Sequence, residues 1–212
     1  MSKAQNNDIH KLDTEEKLRC VYKKPQQAAL RKQNNSISAP GKAMINASPM
    51  IMMATASDDG IDVSPKGDKA GFVKIMDDKT LLIPDRPGNN RIDWITNLIK
   101  NPQVGIIFLV PCNNTTYRVN GTAHVSNKPE LLNQFLIKNK PPLSVIVVNV
   151  EEAFNHCPKA FIRAELWSEA DIEQSKRSPN HGTFAAYRDG KDKTYAKRYV
   201  EDYKKRLPKE LY

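Results

Sequence analysis

One short segment of this sequence concentrates residues that could bind an anion. Residues 85–91 read Asp-Arg-Pro-Gly-Asn-Asn-Arg and lie between a predicted strand and a predicted helix. Gly88 permits a tight backbone path, and we expect Asn89 or Asn90 to cap the helix while its backbone N–H groups point outward. A helix start flanked by two arginines suits a phosphate dianion. The alternative is an ordinary loop with a helix cap and two solvated arginines.

A second segment, residues 64–68, follows a predicted strand directly and reads Ser-Pro-Lys-Gly-Asp. Pro65 and Gly67 are expected to interrupt the hydrogen-bond ladder and to leave backbone N–H and C=O groups for a ligand. Lys66 adds a movable positive charge. A bulge on the protein surface would explain the same residues equally well.

Two further residues carry reactive or charged groups but favour ordinary roles. Arg118 lies on a predicted strand, where an arginine is more often solvated on the outer face than bound to a ligand. Cys157 follows His156, which suggests a nucleophile, but a proline comes next and no base is assured. We therefore expect Cys157 to be structural.

The elements that must position these residues are mostly strands. Apolar or alternating runs joined by hairpin-type turns predict strands at residues 49–57, 61–64, 72–76, 80–84, 104–110, 116–126 and 143–150. Helical spacing predicts helices at residues 90–100 and 129–138, whereas residues 157–167 suit a short helix or a strand. Gly121 is expected to form a bulge or bend in its long strand. Because hairpins dominate over βαβ spacing, we expect a mainly antiparallel α+β barrel with attached helices.

The net charge belongs to the ends of the chain. The 212 residues carry a formal charge of +9, of which residues 1–42 hold +5, residues 43–167 hold +1 and residues 168–212 hold +3. We expect a basic, partly helical N-terminal arm, a nearly neutral folded domain and a basic C-terminal extension with a terminal helix. Residues 34–41 have the composition of a linker. The tyrosines of the terminal helix are expected to pack on the body or on a second subunit.

Composition argues against several classes of protein. No run approaches the roughly 18 apolar residues of a membrane span, and residues 1–8 lack the apolar region of a secretory signal. Cys20, Cys112 and Cys157 have no C-x-x-C spacing, so we expect no disulfide framework, no metal site and a cytoplasmic location. Nucleic acid is not favoured as a partner, because the basic arms have mixed charge and no recognised module. No G-x-G-x-x-G sequence follows a strand, so a resident dinucleotide fold is not expected.

Taken in order, several short motifs resemble the pyridoxamine 5′-phosphate oxidase-like, FMN-binding split-barrel family. They occur at residues 62–68, 71–73, 83–91, 101–102, 108–111, 118–121, 157–160 and 166–167. The resemblance spans roughly Ser48 to Trp167. It implies a six-stranded antiparallel split β-barrel with peripheral helices, and a homodimer that binds FMN in clefts at the subunit interface.

The resemblance also implies a role for each candidate side chain. The 5′-phosphate of FMN would be held by Arg86, Asn89, Asn90 and Arg91. The isoalloxazine ring would be lined by Ser64, Lys66 and Gly67. Packing near the ring or the ribityl chain would come from Ile83 and Pro84. The flavin would be reached from the second subunit by Arg118 and Trp167.

The function implied by the resemblance is that of an FMN-dependent oxidoreductase, with hydride transfer through flavin N5 to or from a small molecule. The substrate-binding segments depart from those of the pyridoxamine phosphate oxidases, so the substrate stays open. NAD(P)H would come and go as a reductant rather than reside on the protein. The alternative is a non-catalytic FMN-binding protein that serves flavin storage, sensing or electron transfer.

Overall fold

The structure, a computed structural model, describes residues 10–211, except for the side chain of Lys209. The expectation about a secretory signal at residues 1–8 lies outside the described residues. The chain divides into two compact units, residues 1–33 and residues 34–212. The sequence-based division at residues 42 and 167 stays a prediction.

The first unit contains two short helices, α1 (Glu15–Val21) and α2 (Gln27–Arg31). The Thr14 side chain caps α1, because its hydroxyl oxygen accepts a hydrogen bond from the Lys17 backbone N–H at 3.2 Å. Neither helix buries a residue. These helices therefore form without a core of their own.

The second unit is built on one antiparallel sheet. Its strands are β1 (Met50–Ser57), β2 (Gly60–Gly67), β3 (Lys74–Asp77), β4 (Thr80–Asp85), β5 (Gln103–Leu109), β6 (Thr116–Ser126) and β7 (Ser144–His156). Their order across the sheet is β2-β1-β5-β6-β7-β4-β3. The predicted α+β, mainly antiparallel fold is confirmed, with a sheet of seven strands where the resemblance implied six.

The sheet is curled, so that β2 and β4, which are far apart in the strand order, approach each other. Four strands separate β2 from β4 in the sheet order, which in a flat sheet would place them about 24 Å apart. Yet Lys66 Nζ on β2 lies 3.5 Å from Asp85 Oδ1 at the end of β4. No ladder joins β2 to β4 within residues 10–211, so side chains rather than backbone hydrogen bonds span this split of the barrel.

The inner face of the curled sheet holds the core. Alternate residues of the central strands point inward and are almost fully buried, as Met53, Ile106, Phe108 and Val119 illustrate. Gly121 lies at the register shift between β6 and β7, as expected. A Cβ there would lie 1.9 Å from the Asn149 carbonyl oxygen, so only glycine fits.

The second unit also contains helices. They are α3 (Ala39–Ala47), α4 (Asp93–Lys100), α5 (Pro129–Leu132), α6 (Lys159–Ala164), α7 (Glu169–Ser175), α8 (His181–Arg188) and α9 (Lys193–Glu210). Of these, α3, α4 and α5 pack on strands. The helical alternative for residues 157–167 is thus confirmed by α6. No helix in the described part of the chain is long and apolar enough to cross a membrane.

Residues 34–41 are not a linker. Asn34 and Ala153 exchange two backbone hydrogen bonds of 3.2 and 2.8 Å, and Ile37 is buried in the core. α3 then begins behind Ser38, whose hydroxyl accepts from the Gly41 backbone N–H. Polar composition suggested a loop, but pairing with a distant strand fixes this segment.

The helix that the sequence predicts at residues 129–138 is shorter in the structure. α5 ends at Leu132 and continues only as a 3₁₀ turn, Asn133–Phe135. Lys138 and Asn139 both adopt left-handed backbone angles, with φ of 50° and 61°, which an α-helix does not tolerate.

The terminal tyrosines pack on a neighbouring helix. The His181 ring on α8 lies 4.8 Å from the Tyr203 ring and 6.0 Å from the Tyr199 ring on α9. A Cβ at Gly182 would lie 2.4 Å from the Ala196 carbonyl oxygen, so α8 and α9 approach closely. The tyrosine stripe therefore meets α8 rather than the barrel.

Candidate functional site

A cavity of about 580 Å³ opens beside β2, the loop after β4 and the start of α4. Several predicted site residues line it: Ser64, Lys66, Arg86, Asn89, Asn90 and Arg91. Its volume lies within the range of pockets that hold small molecules and cofactors. The curl of the sheet thus joins the two segments that the sequence marked separately.

Strand β2 supplies one wall of the cavity. Asp62, Ser64 and Lys66 alternate along one face, and each is more buried than its neighbours. The expected interruption by Pro65 and Gly67 is wrong, because β2 pairs with β1 without a break through Gly67. Proline is tolerated there because β2 is an edge strand.

The Ser64 hydroxyl is a buried polar group with no hydrogen-bond partner in the structure. Buried hydroxyls are normally satisfied, since an unmade hydrogen bond costs about 1–3 kcal/mol. Ser64 lines the cavity, but its hydroxyl oxygen has almost no exposed surface, so the side chain would have to turn to meet a ligand.

Lys66 lies at the centre of this wall, and its side chain is 13% exposed. Its ammonium group lies 3.5 Å from Asp85 Oδ1 and 3.5 Å from the centre of the Trp94 ring. Burial lowers the pKa of Lys66 and raises the pKa of Asp85, although each charge favours ionisation of the other. Asp85 and Trp94 belong to the site but were not assigned to it from the sequence.

Arg86 is held on two sides. Its Nε donates to Asp68 Oδ2 at 3.2 Å and its Nη1 donates to the Phe135 carbonyl oxygen at 2.9 Å. The Arg86 side chain is 17% exposed and that of Asp68 only 4%. This is a buried ion pair that fixes the guanidinium at the cavity wall.

The loop before α4 departs from the expected helix cap. α4 begins at Asp93 behind Ile92, and no side chain caps it, so the caps expected at Asn89 or Asn90 are wrong. Instead Asn89 Oδ1 accepts from the Arg91 backbone N–H at 3.0 Å, and Asn90 has a φ of 57°. The asparagines shape the turn that brings Arg91 to the cavity.

Arg91 is folded back onto the first residue of the helix. Its Nε and Nη2 donate to Asp93 Oδ2 at 2.9 and 2.7 Å. The Asp93 carboxylate raises the pKa of Arg91, first through these hydrogen bonds and then through its charge. The alternative of two solvated arginines holds for Arg91, whose side chain is 76% exposed, but not for Arg86, which is 17% exposed and pairs with Asp68.

A buried polar cluster holds α4 against the sheet. Asn97 is 5% exposed, and its Nδ2 donates to Asp62 Oδ2 at 2.7 Å and to Thr55 Oγ1 at 3.4 Å. The Ser57 hydroxyl donates to Asn97 Oδ1 at 2.7 Å. Sequence reasoning missed Asn97, although a polar residue beside the apolar stripe of a helix is a signal for such an anchor.

The remaining predicted residues lie elsewhere. Gly67 and Pro84 line a smaller neighbouring cavity of about 190 Å³, which also borders Lys66 and Arg86. Ile83 is fully buried in the core behind these cavities.

Arg118 and Trp167 do not line the main cavity within this chain. Arg118 Nη2 donates to Glu152 Oε1 at 2.7 Å, its guanidinium carbon lies 4.4 Å from the centre of the Phe154 ring, and its Nε is buried with no hydrogen-bond partner. Trp167 is 38% exposed and stacks on Phe161.

The cavity combines cationic and polar donors with apolar walls. Its cations are Lys66, Arg86 and Arg91, and its carboxylates are Asp62, Asp85 and Asp93. The two signs of charge balance along the lining, so an anionic ligand would compete with these carboxylates for the N–H donors. No group of three or more metal-ligating side chains occurs among residues 10–211 that could hold a metal ion.

Comparison with known proteins agrees with this architecture. Residues 40–157, more than half of the chain, match the family model described as pyridoxamine 5′-phosphate oxidase. No curated protein matches the chain.

Several solved structures are similar to about half of this chain at low sequence identity. Group A Streptococcus HupZ is 23% identical over 56% of this chain and 93% of its own, with a TM-score of 0.46. A candidate pyridoxamine 5′-phosphate oxidase from Lactobacillus delbrueckii is 22% identical over 57% of this chain and 95% of its own, with a TM-score of 0.46. An FMN-binding protein from Syntrophomonas wolfei is 14% identical over 55% of this chain and 88% of its own, with a TM-score of 0.39. By the match over residues 40–157, the chain belongs to the pyridoxamine 5′-phosphate oxidase family.

Proposed function

We propose that this chain binds FMN in the 580 Å³ cavity and acts as an FMN-dependent oxidoreductase on a small molecule. The proposal depends mainly on one observation. Ser64 and Lys66 on β2 line the same cavity as the arginines and asparagines of residues 86–91. Family membership supports the choice of cofactor.

The residues present fit FMN by their chemistry. The phosphate would be held by Arg86 and Arg91 with the amides of Asn89 and Asn90, because guanidinium and amide N–H groups match phosphate oxygens. The unpartnered Ser64 hydroxyl would meet a polar edge of the ring. Gly67 and Pro84 would border the ring or the ribityl chain, with Ile83 as packing behind them.

When bound, FMN supplies hydride transfer at its N5 atom. The protein's part is to position the ring, to exclude water and to place charge beside it. Lys66 would hold a positive charge next to the ring, while Asp85 and the Trp94 face keep its ammonium group in place.

We further propose a homodimer in which Arg118 and Trp167 reach the flavin of the second subunit. Strand register aligns Pro65, Met52, Ile107, Arg118 and Phe154 in one row across the outer face of the sheet. The row is mainly apolar, Met52 and Ile107 are only half-buried, and the Arg118 Nε lacks a hydrogen-bond partner among residues 10–211. A second copy of the chain packed against this face would cover the row. Analytical sedimentation of wild type and of Ile107→Lys tests the proposal: wild type should sediment as a dimer and Ile107→Lys as a monomer.

The absorption spectrum of the purified protein tests the proposed cofactor. The two bands of oxidised flavin in the near-ultraviolet and blue are expected, with mass spectrometry identifying the released compound as FMN. A colourless protein whose addition changes neither FMN fluorescence nor its own melting temperature would sink the proposal.

Turnover separates the enzyme from the non-catalytic alternative. Flavin-loaded protein would be mixed with NADH or NADPH and a panel of small-molecule acceptors. Sustained oxidation of the reductant that depends on an acceptor supports the oxidoreductase. Bound FMN with no turnover for any pair favours storage, sensing or electron transfer.

A further inference from the structure

The two arginines at the cavity differ in how they are held. Arg86 is 17% exposed and contacts Asp68 and a backbone carbonyl, so its guanidinium is fixed by buried neighbours. The Arg91 side chain is 76% exposed and pairs with Asp93, which is 49% exposed. Exposed ion pairs are weak and exchange easily. Arg91 is therefore the arginine that can change partner.

The Asp93 carboxylate offers Arg91 an anionic oxygen acceptor, as a phosphate would. Two N–H groups of the guanidinium donate to the same carboxylate oxygen, at 2.9 and 2.7 Å. Carboxylate and phosphate oxygens compete for such donors because both are anionic acceptors. Arg91 and Asp93 both line the cavity, so an incoming phosphate meets a guanidinium that is already engaged.

We infer that Asp93 sets the affinity of the site for the phosphate group by competing for Arg91. A ligand phosphate must displace the carboxylate, or share the guanidinium with it, and it also meets a like charge at the start of α4. Asp93 thus weakens phosphate binding and keeps the phosphorylated ligand exchangeable. This inference rests on the proposed FMN site.

Titration with FMN and with riboflavin, which lacks the phosphate, tests the inference through quenching of flavin fluorescence. Asp93→Asn should bind FMN about three- to tenfold more tightly than wild type, because a competing acceptor and a like charge are removed. Riboflavin affinity should not change. Asp93→Ser keeps a side chain suited to a helix start and should give the same gain.

Two controls separate the partner exchange from a general change of charge. In an Arg91→Gln background the gain from Asp93→Asn should shrink to the small gain expected from removing a like charge, because the competing pair is gone. Asp62→Asn removes a carboxylate of the same cavity that is hydrogen-bonded to Asn97 and acts on Arg91 only through its charge, and it should give a smaller gain.

Several results would overturn the inference while leaving the FMN site intact. These are unchanged FMN affinity in both Asp93 variants, an equal gain for riboflavin, an undiminished gain with Arg91→Gln, or an equal gain in Asp62→Asn. Failure of wild type to bind FMN would instead overturn the proposed function, and the inference with it.

Discussion

The buried pair between Arg86 and Asp68 should carry both stability and ligand binding, and the two roles can be separated. Arg86→Met keeps most of the side-chain volume but removes the guanidinium. The Asp68 carboxylate, only 4% exposed, then loses the cation that lies 3.2 Å away. Arg86 also gives up its hydrogen bond to the Phe135 carbonyl oxygen.

The expected loss is large because the pair is buried. Removing one partner of a buried ion pair typically costs about 3–5 kcal/mol, since the remaining charge stays desolvated. For a chain of this size each kcal/mol shifts the melting temperature by about 2–4 °C, so Arg86→Met should melt about 6–20 °C below wild type. Its FMN affinity should also fall.

Thermal unfolding followed by circular dichroism measures the first effect, and FMN fluorescence titration measures the second. Lys42→Met provides the matched control, because Lys42 pairs with Asp78 on the surface, with side chains 41% and 65% exposed. An exposed pair contributes about 0–1 kcal/mol, so this control should melt within about 4 °C of wild type.

The double variant Asp68→Asn/Arg86→Met separates structure from binding. Neutralising Asp68 should recover much of the lost stability, because no buried carboxylate is left without its guanidinium. FMN affinity should stay low, because the phosphate has lost its fixed arginine. If the double variant binds FMN as wild type does, Arg86 is not a phosphate ligand. If Arg86→Met melts at the same temperature as wild type, the argument that the buried Asp68 carboxylate needs its guanidinium partner is refuted.

Three further changes test the structure. Gly121→Ala should lower the free energy of unfolding by about 3 kcal/mol in thermal melts, because the new Cβ would lie 1.9 Å from the Asn149 carbonyl oxygen; Gly88→Ala, with open space around it, should not. Asn97→Ala should cost about 1–3 kcal/mol in urea unfolding, since its buried partners lose their hydrogen bonds, and a smaller loss would argue against the anchor. Burial lowers the pKa of Lys66 below 10.5, so at alkaline pH the folded state binds fewer protons than the unfolded state. The stability of wild type relative to Lys66→Met should therefore rise in urea melts as the pH approaches the ordinary lysine pKa of about 10.4 from below, and a constant or falling difference would contradict the shift.

Local sequence patterns were sufficient for most of the strands. The continuous apolar run of β5 and the bend at Gly121 are properties that neighbouring residues determine. The same reasoning was wrong for residues 34–41, because backbone hydrogen bonds fix Asn34 to Ala153, a residue distant in sequence. Composition describes the conformational preference of an isolated segment, whereas contacts with a distant strand determine the conformation of this one.

The candidate site was predictable as two segments but not as a set of contacts. Residues 64–68 and 85–91 stand out by their glycines, prolines and cations. The partners of those cations depend on the curl of the sheet, which brings Asp85 to Lys66 and Asp68 to Arg86. Asp93 was overlooked because an acidic residue in the first turn of a helix has an ordinary explanation in the helix dipole.

The charges at the split of the barrel favour a binding role over a purely structural one. Lys66, Asp85, Arg86 and Asp68 form two ion pairs between the ends of β2 and β4, with side chains between 4% and 20% exposed. Buried ion pairs are weak sources of stability, and well-packed apolar residues in their place are often neutral or stabilising. An apolar seam would therefore hold the barrel at least as well, but it would give an anionic ligand nothing to bind. A ligand that bound these charges in the folded state would in turn stabilise the fold by mass action, so the melting temperature should rise with the concentration of that ligand.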